Sequence, residues 1–459
     1  MRTEKDSFGE LSVSDDAYYG AHTQRSLQNF QISKLKWQPE LIRAIVQIKK
    51  ACALANQELG LLEKRKCDAI TKACDEVLAG KFADQFPLDV FQAGSGTSTN
   101  MNVNEVIANR ASEILGGAKG SKLVHPNDDV NKGESTNNVI PSAIRIASAL
   151  RVSSLSSSFE ELKVSFEKKA SEFDHIIKAA RTHLQDAVPI TLGQEFHAYA
   201  TAMGKHIDRL KDSQKYLMQL GIGGNAVGTG LNTKPGFREA IVKHLNAQLH
   251  GNFQVSPDGI ESTQFLTDVA VLSSTVKNAA LDINKIANDL RLMASGPMTG
   301  FNEITLPAVE PGSSIMPGKI NPSIPEAVNM ACYRVMGNDA TISLAAGAGN
   351  LDLNTHIPII GYCIIESLEI LANASAAFAE KCILGIQANE EKCRWNVEHS
   401  AASATALTPH LGYDKVAGLV KESLKTGKSV EQLALEQSLL NKSQLDAILA
   451  PEKLTRPNL

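Results

Sequence analysis

The chain has 459 residues, two or three times the length of a typical single domain, with 43% hydrophobic, 21% charged and only 5% aromatic residues. That balance suits a soluble helical protein and is thin in the aromatic residues a large β-sandwich needs. A formal net charge of -4 excludes the broad basic field that draws proteins onto phosphate backbones, so no nucleic-acid partner is expected.

The first residues, MRTEKDSFGELSVSDD, are charged and lack the apolar core of an export signal. No run of about 18 apolar residues follows, so no membrane span is expected. From Glu40, ELIRAIVQIKKACALANQELG repeats apolar residues at steps of three and four and predicts an amphipathic helix stopped near Gly60. A second helix is predicted over Lys64 to Leu78, ended by Gly80, with a loop to about Gln92. The middle of the chain predicts long helices over Pro141 to Ala179, Leu192 to Leu220, Gly259 to Ala294, Pro325 to Leu344 and Leu351 to Leu384. Small apolar residues such as Ala147, Ala149, Ala270, Ala279, Ala280, Ala345 and Ala346 recur on more than one face of these helices. Helices apolar around much of their circumference bury themselves against other helices, so packing against partner subunits is expected. After Gln387 the pattern shortens to brief helices around Asp414 to Leu424, Ser429 to Glu436 and Lys442 to Leu449. The expected organisation is all-α with three domains: a helical domain over 1–138, a long-helix bundle over 139–387 and a small helical domain over 388–459. Seven cysteines without a CxxC pair read as reduced core thiols of a cytoplasmic protein.

The polar, glycine-containing segments between the helices are where a site is expected. In EPGSSIMPGKINPSIPE, Ser313, Ser314, Lys319 and Asn321 offer two hydroxyls, a cation and an amide just before a helix N-terminus, a set suited to an anion. Five residues separate Gly312 from Gly318 where a nucleotide P-loop has four, and Ile320 follows Lys319, so ATP is not expected. A plain surface loop is the alternative. In THLQD, Thr182 and His183 set a hydroxyl beside an imidazole that titrates near neutrality; a structural histidine is the alternative. Glu134, Ser135, Thr136, Asn137 and Asn138 form a dense polar row that suits either a site or a helix N-cap ahead of Pro141. Gly94 to Asn104, with Thr97 and Ser98, carries the same two readings. His125, Asp128 and Asp129 have no second cluster at ligand spacing, so no metal is expected. The glycines of GIGGNAVGTG follow a helical pattern instead of a strand, so no dinucleotide and no other cofactor is expected.

The loop GSSIMPGKINP resembles the signature of the aspartase/fumarase superfamily. NMNVNEVIANRASE, HPNDDVN, RTHLQDAVPITLGQEF, AVGTGLNT, KIANDLRLMASGP and the GND at Gly337 to Asp339 resemble further segments of it, in order and over nearly the whole chain. The resemblance implies an all-α fold of three domains, a homotetramer whose central helices pool into one core, and active sites shared by three subunits. It implies a small dicarboxylate substrate and elimination of ammonia from L-aspartate to give fumarate. STNN, SGTSTN, NPSIPEAVNMACYRVMGND, DAYYGAHT and GIQANEEKC point that way, while TQRSLQNF, GSGT and HPNDDVNK resemble the fumarate hydratases that act on malate. By matching positions, Ser313 is the catalytic base and His183 its catalytic companion. The resemblance likewise implies that Thr97, Ser98, Ser135, Thr136, Asn137, Thr182, Ser314, Lys319 and Asn321 bind substrate and that Glu326 orients His183. The chain departs from the family where Glu134 and Asn138 stand for Gln and Asp, and where Met298 stands for Arg. His356 also stands in an unassigned position. The Glu134 and Asn138 changes are expected to shift specificity toward a relative of aspartate.

Overall fold

The computed structural model describes residues 1–457. In chain order it forms β1 (Arg2–Asp6), β2 (Gly9–Val13), α1 (Ala21–Asn29), α2 (Pro39–Glu58), α3 (Lys64–Leu78), α4 (Thr97–Ile114) and α5 (Thr136–Glu172). Then come β3 (Ile177–Thr182), β4 (Gln185–Thr191), α6 (Leu192–Leu217), β5 (Gln219–Leu220), α7 (Phe237–Leu249), β6 (Gln254–Val255), α8 (Gly259–Gln264), α9 (Thr267–Met293) and β7 (Ile304–Thr305). The rest is α10 (Ser323–Ala346), α11 (Ile357–Lys381), β8 (Gln387–Ala388) and a run of shorter helices that begins with α12 (Glu390–Glu398). Among the described residues the strands form two-stranded pairs: β1·β2, β3·β4 and β7·β8 antiparallel, β5·β6 parallel. The fold is all-α with these small additions.

Where the pattern was unambiguous the helices end as the residues dictate. Gly60 and Gly80 follow α2 and α3 at φ 73° and 90°, a region glycine enters without a Cβ penalty. Three predicted spans need correction. The stretch to Ala179 is two elements, because α5 stops at Glu172 and residues 177–182 are strand β3. Gly259 to Ala294 breaks at Phe265, which is extended at φ -113° and ψ 137°. The helix expected from Leu351 begins only at Ile357, after Leu351 has turned through φ 49°. By length and composition α11 is apolar enough to cross a membrane, which the absence of an 18-residue apolar run had not anticipated. Yet 61% of its apolar window is buried, as in a core helix.

The chain divides into two compact units. The first comprises residues 1–156, 208–280 and 333–372. Its core combines Leu41, Ile45 and Ile48 of α2 with Ile70 of α3, Val106 and Ile107 of α4, Ile140 and Ile144 of α5, and Ile364 and Leu368 of α11, all buried. The second comprises 157–207, 281–332 and 373–459. It is organised around Phe166, whose ring meets Phe196, Tyr199 and Phe378 edge-on at 6.2, 5.6 and 6.3 Å. In the same unit Leu407, Val416, Leu419, Val430, Leu433 and Leu445 build a separate small core among the last helices. Several large apolar side chains on the long helices stay exposed: Leu150, Val271, Tyr333 and Leu344 in the first unit, Val164, Leu281 and Met330 in the second.

Candidate active site

The first group of site residues lies at the heads of α4 and α5. Thr97 is the first residue of α4, entered through Ser95 and Gly96 at φ 61° and 87°. Asn100, one turn on, donates to Thr136 Oγ1 at 3.1 Å and so ties α4 to the first turn of α5. Ser135 precedes α5, and its Oγ accepts from the Asn137 N–H at 3.3 Å. The N-cap reading is therefore correct for this serine. Asn137 Nδ2 donates to the Ala226 carbonyl at 2.8 Å, which joins the strip to the glycine-rich turn after β5. Pro141 has no N–H, so the Asn137 carbonyl lacks its ordinary i+4 helical donor and keeps acceptor capacity. Ser98 has a structural partner instead: it is fully buried and its Oγ accepts from Ser26 Oγ at 3.0 Å.

Beneath this strip is a buried polar cluster. Asn131 Oδ1 receives donors from Lys49, Asn100 and Asn104, and Asn131 Nδ2 donates to the Glu134 carbonyl. Lys49 is fully buried, and that burial pushes its ammonium down to about 8. Burial raises the Glu134 carboxyl in turn, with Lys49 opposing. The sequence reading passed over Lys49. Its signal was register: Ile45, Ile48, Lys49 and Cys52 share the apolar face of α2.

The second group lies in the other unit. Thr182 and His183 sit at the tip of the β3·β4 hairpin, where Thr182 pairs with Gln185 across a two-residue turn. His183 and Leu184 occupy that turn at φ 58° and 59°, the geometry that normally selects Asn-Gly. Both are exposed. A strained turn made of ordinary L residues is the kind of outlier found where a side chain must be presented. Below the tip, Glu303 is fully buried and holds Lys178 at 2.9 Å and Arg181 at 2.8 Å. Arg181 also stacks its guanidinium 4.2 Å from the Phe301 ring.

The loop before α10 carries the remaining residues. Ser313 Oγ accepts from two backbone N–H groups, those of Ile315 at 3.2 Å and Met316 at 3.1 Å. Two donors on one hydroxyl oxygen favour its anionic form. Asn321 Nδ2 donates to the Gly312 carbonyl and closes the neck of the loop. A Cβ at Gly312 would strike the Lys319 carbonyl, so only glycine fits there. Ser314 and Lys319 are exposed, and Asn321 is half-buried. Glu326 was expected to orient His183; within the chain its carboxylate lies 3.7 Å from Arg291 instead.

Other candidates resolve into structure. His125 Nδ1 accepts from the Asn127 and Asp128 N–H groups, and Asp129 pairs with Lys66 at 2.8 Å. The glycine turn does follow a strand, β5, contrary to expectation, but that strand has two residues and no helix starts before Phe237. A Cβ at Gly228 would collide with the Gly259 backbone, so this glycine serves close packing on α8. The Asn354 carboxamide oxygen caps the His356 N–H at 2.8 Å. Met298 is exposed.

Residues 9–337 match the lyase family and residues 404–456 the fumarase C C-terminus. The chain belongs to the aspartase/fumarase superfamily. It is 46% identical to the aspartate ammonia-lyase of Helicobacter pylori, over 100% of this chain and 98% of that one. It is 47% identical to the class II fumarate hydratase of Halobacterium salinarum, over 99% and 97%. Among solved structures it is similar to the class II fumarase of Schistosoma mansoni, with a TM-score of 0.97, 37% identity and full coverage of both chains. A superfamily lyase activity is therefore established, and the departures at 134 and 138 acquire a structural meaning. Asn138 Nδ2 donates to Glu134 Oε2, so the two changes belong to one bonded pair.

Proposed function

We propose that this superfamily member eliminates ammonia from L-aspartate to give fumarate. The observation that carries the reading is the Ser135–Thr136–Asn137 strip at the head of α5, which reads as in aspartases where fumarases carry a second serine. The aspartate ammonia-lyases of H. pylori and Bacillus subtilis, 46% and 45% identical over the whole chain, support it.

The difficulty of the reaction lies in the carbanion. Loss of the Cβ proton places a second negative charge on one carboxyl group, as an aci-carboxylate. Fixed donors aimed at that group supply the largest part of catalysis. In the proposal Thr97, Ser135, Thr136 and Ser314 hold it, while Lys319 and Asn321 hold the other carboxylate. Asn137, Thr182 and His183 meet the amino group and its neighbouring carboxylate, and the Asn137 carbonyl is a further acceptor for the ammonium. Ser313 takes the Cβ proton, its alkoxide stabilised by the Ile315 and Met316 N–H groups. The electron pair then returns, the double bond forms and ammonia departs from Cα. Closure of the exposed 312–322 loop over substrate excludes water.

The proposal places this chemistry in a cytoplasmic homotetramer whose sites combine segments of three subunits. The exposed Leu150, Val271, Tyr333, Leu344 and Met330 on the long helices support assembly, and the seven buried unpaired cysteines support a reducing compartment. Hydration of fumarate is the second reading, favoured by the 47% identity to the Halobacterium enzyme and the fumarase-like HPNDDVNK segment. Incubating purified protein with fumarate, with and without ammonium, and identifying the product decides between them. Aspartate formed only with ammonium supports the proposal; malate formed in both overturns it.

A further inference from the structure

The Glu134 carboxylate is ringed by donors. Its Oε1 accepts from Cys52 Sγ at 3.1 Å and its Oε2 from Asn138 Nδ2, while the Gly223 backbone N–H also points at it. The residue is 6% exposed, so none of these donors has water as an alternative. Only a group that accepts on both ends satisfies such a ring. Asn138, 2% exposed, is oriented as a result: with its nitrogen committed to Glu134, its oxygen faces the Ser135 N–H and accepts from it at 2.8 Å. The fully buried Lys49, on the adjoining α2, supplies the opposite charge, and Asn131 bridges it to the Glu134 carbonyl.

We propose that Glu134 and Asn138 act as one positioning unit, in which the buried carboxylate locks the Asn138 amide so that its oxygen holds the Ser135–Asn137 strip in binding geometry. This rests on the reading of that strip as substrate-binding. The superfamily's usual Gln and Asp at these two places is the same amide and carboxylate with the ends exchanged. The exchange therefore keeps one negative charge and one amide in the pair. It supports the strip from below and does not present a new group to substrate, which replaces the expected shift in specificity.

The two single exchanges break the unit in different ways. In Glu134→Gln, one end of the new amide must turn a donor toward Cys52 or toward Asn138. In Asn138→Asp, two carboxylates meet in a buried site. In the double variant E134Q/N138D the roles are swapped: the new amide nitrogen at position 134 donates to the new carboxylate at position 138. The amide oxygen at 134, in the place of Oε1, still accepts from Cys52, and the carboxylate at 138 still accepts from Ser135. The experiment compares all four proteins by KM and kcat for L-aspartate and by hydrogen–deuterium exchange of the peptide over 130–140. Each single variant should raise KM by about tenfold, a loss typical of a misdirected charged hydrogen bond, with a smaller change in kcat. Exchange over the peptide should quicken in both, and the double variant should return KM to within about threefold of the parent and restore slow exchange. A double variant no better than the worse single, or four equal KM values, overturns the proposal. Exchange that is coupled while KM is not assigns the pair a purely structural role and overturns it as well. A parent protein that turns over neither aspartate nor malate sinks the functional reading alone, and the exchange data then still decide whether the pair is one unit.

Discussion

At Ser313 the decisive feature is two backbone N–H groups converging on one hydroxyl oxygen. A hydroxyl is too weak an acid to lose its proton unaided near neutrality, and fixed donors aimed at its oxygen are the means available inside a loop. Removing the oxygen by Ser313→Ala should lower kcat about a thousandfold, within the range of general-base catalysis, with substrate affinity changed by less than about threefold. Turnover and binding of L-aspartate, measured separately, test this; near-parental kcat would remove Ser313 as base. The hydroxyls, the lysine and the imidazole were legible in the sequence because their types and order are specific. Lys49 was not, since a lysine in an amphipathic helix is ordinarily placed on the wet face, and it is Asn131, far along the chain, that gives it a partner inside. Nor was the role of Ser98, whose bond to Ser26 joins residues 72 positions apart.

The β3·β4 hairpin shows the same division among elements. KAARTH continues a helical alternation closely enough to extend the predicted α5, and THLQ holds neither the Gly nor the Asn that announces a type I′ turn. The hairpin exists because tertiary bonds enforce it: Glu303, between β7 and the preceding loop, takes Lys178 and Arg181 from β3, and Asn396 of α12 donates to the same carboxylate at 3.1 Å. Truncating Glu303 leaves Arg181 and Asn396 without this carboxylate while Lys178 keeps Glu195 at 2.9 Å, a loss of about 1–3 kcal/mol for donors left unsatisfied. Glu303→Ala should therefore lower the denaturant midpoint strongly and accelerate amide exchange over 177–191. An unchanged midpoint would show that the hairpin is held by its own turn and packing.

For the molecule as a whole, the cysteines set an alkaline limit. Burial pushes the Cys332, Cys382 and Cys393 thiols up to about 12 and Cys67 and Cys363 up to about 11, and raises Cys52 and Cys74 too. Above the ordinary thiol value of 9 the unfolded chain releases protons that the folded one retains. Stability is then complete below pH 9 and is lost as pH rises through 11 to 12. Lys49 works in the opposite sense, because its folded value of about 8 lies below the ordinary 10.5, so it adds stability between those limits. Seven thiols outweigh one lysine, each contributing about 1.4 kcal/mol per pH unit at most. Denaturant midpoints measured from pH 9 to pH 10.5 should fall; a flat or rising series over that interval would contradict this account.

The sequence by itself determined the helical class, the caps at Gly60 and Gly80, and the polar composition of the loops, because periodicity and residue type act locally. It also carried the superfamily signature. Tertiary structure alone decided that His183 stands in a strained two-residue turn, that Glu303 anchors the strand leading to it, and that Glu134 and Asn138 are one pair. Each of these depends on what a distant segment presents to a buried polar group, and a group without water must take the partner the fold supplies.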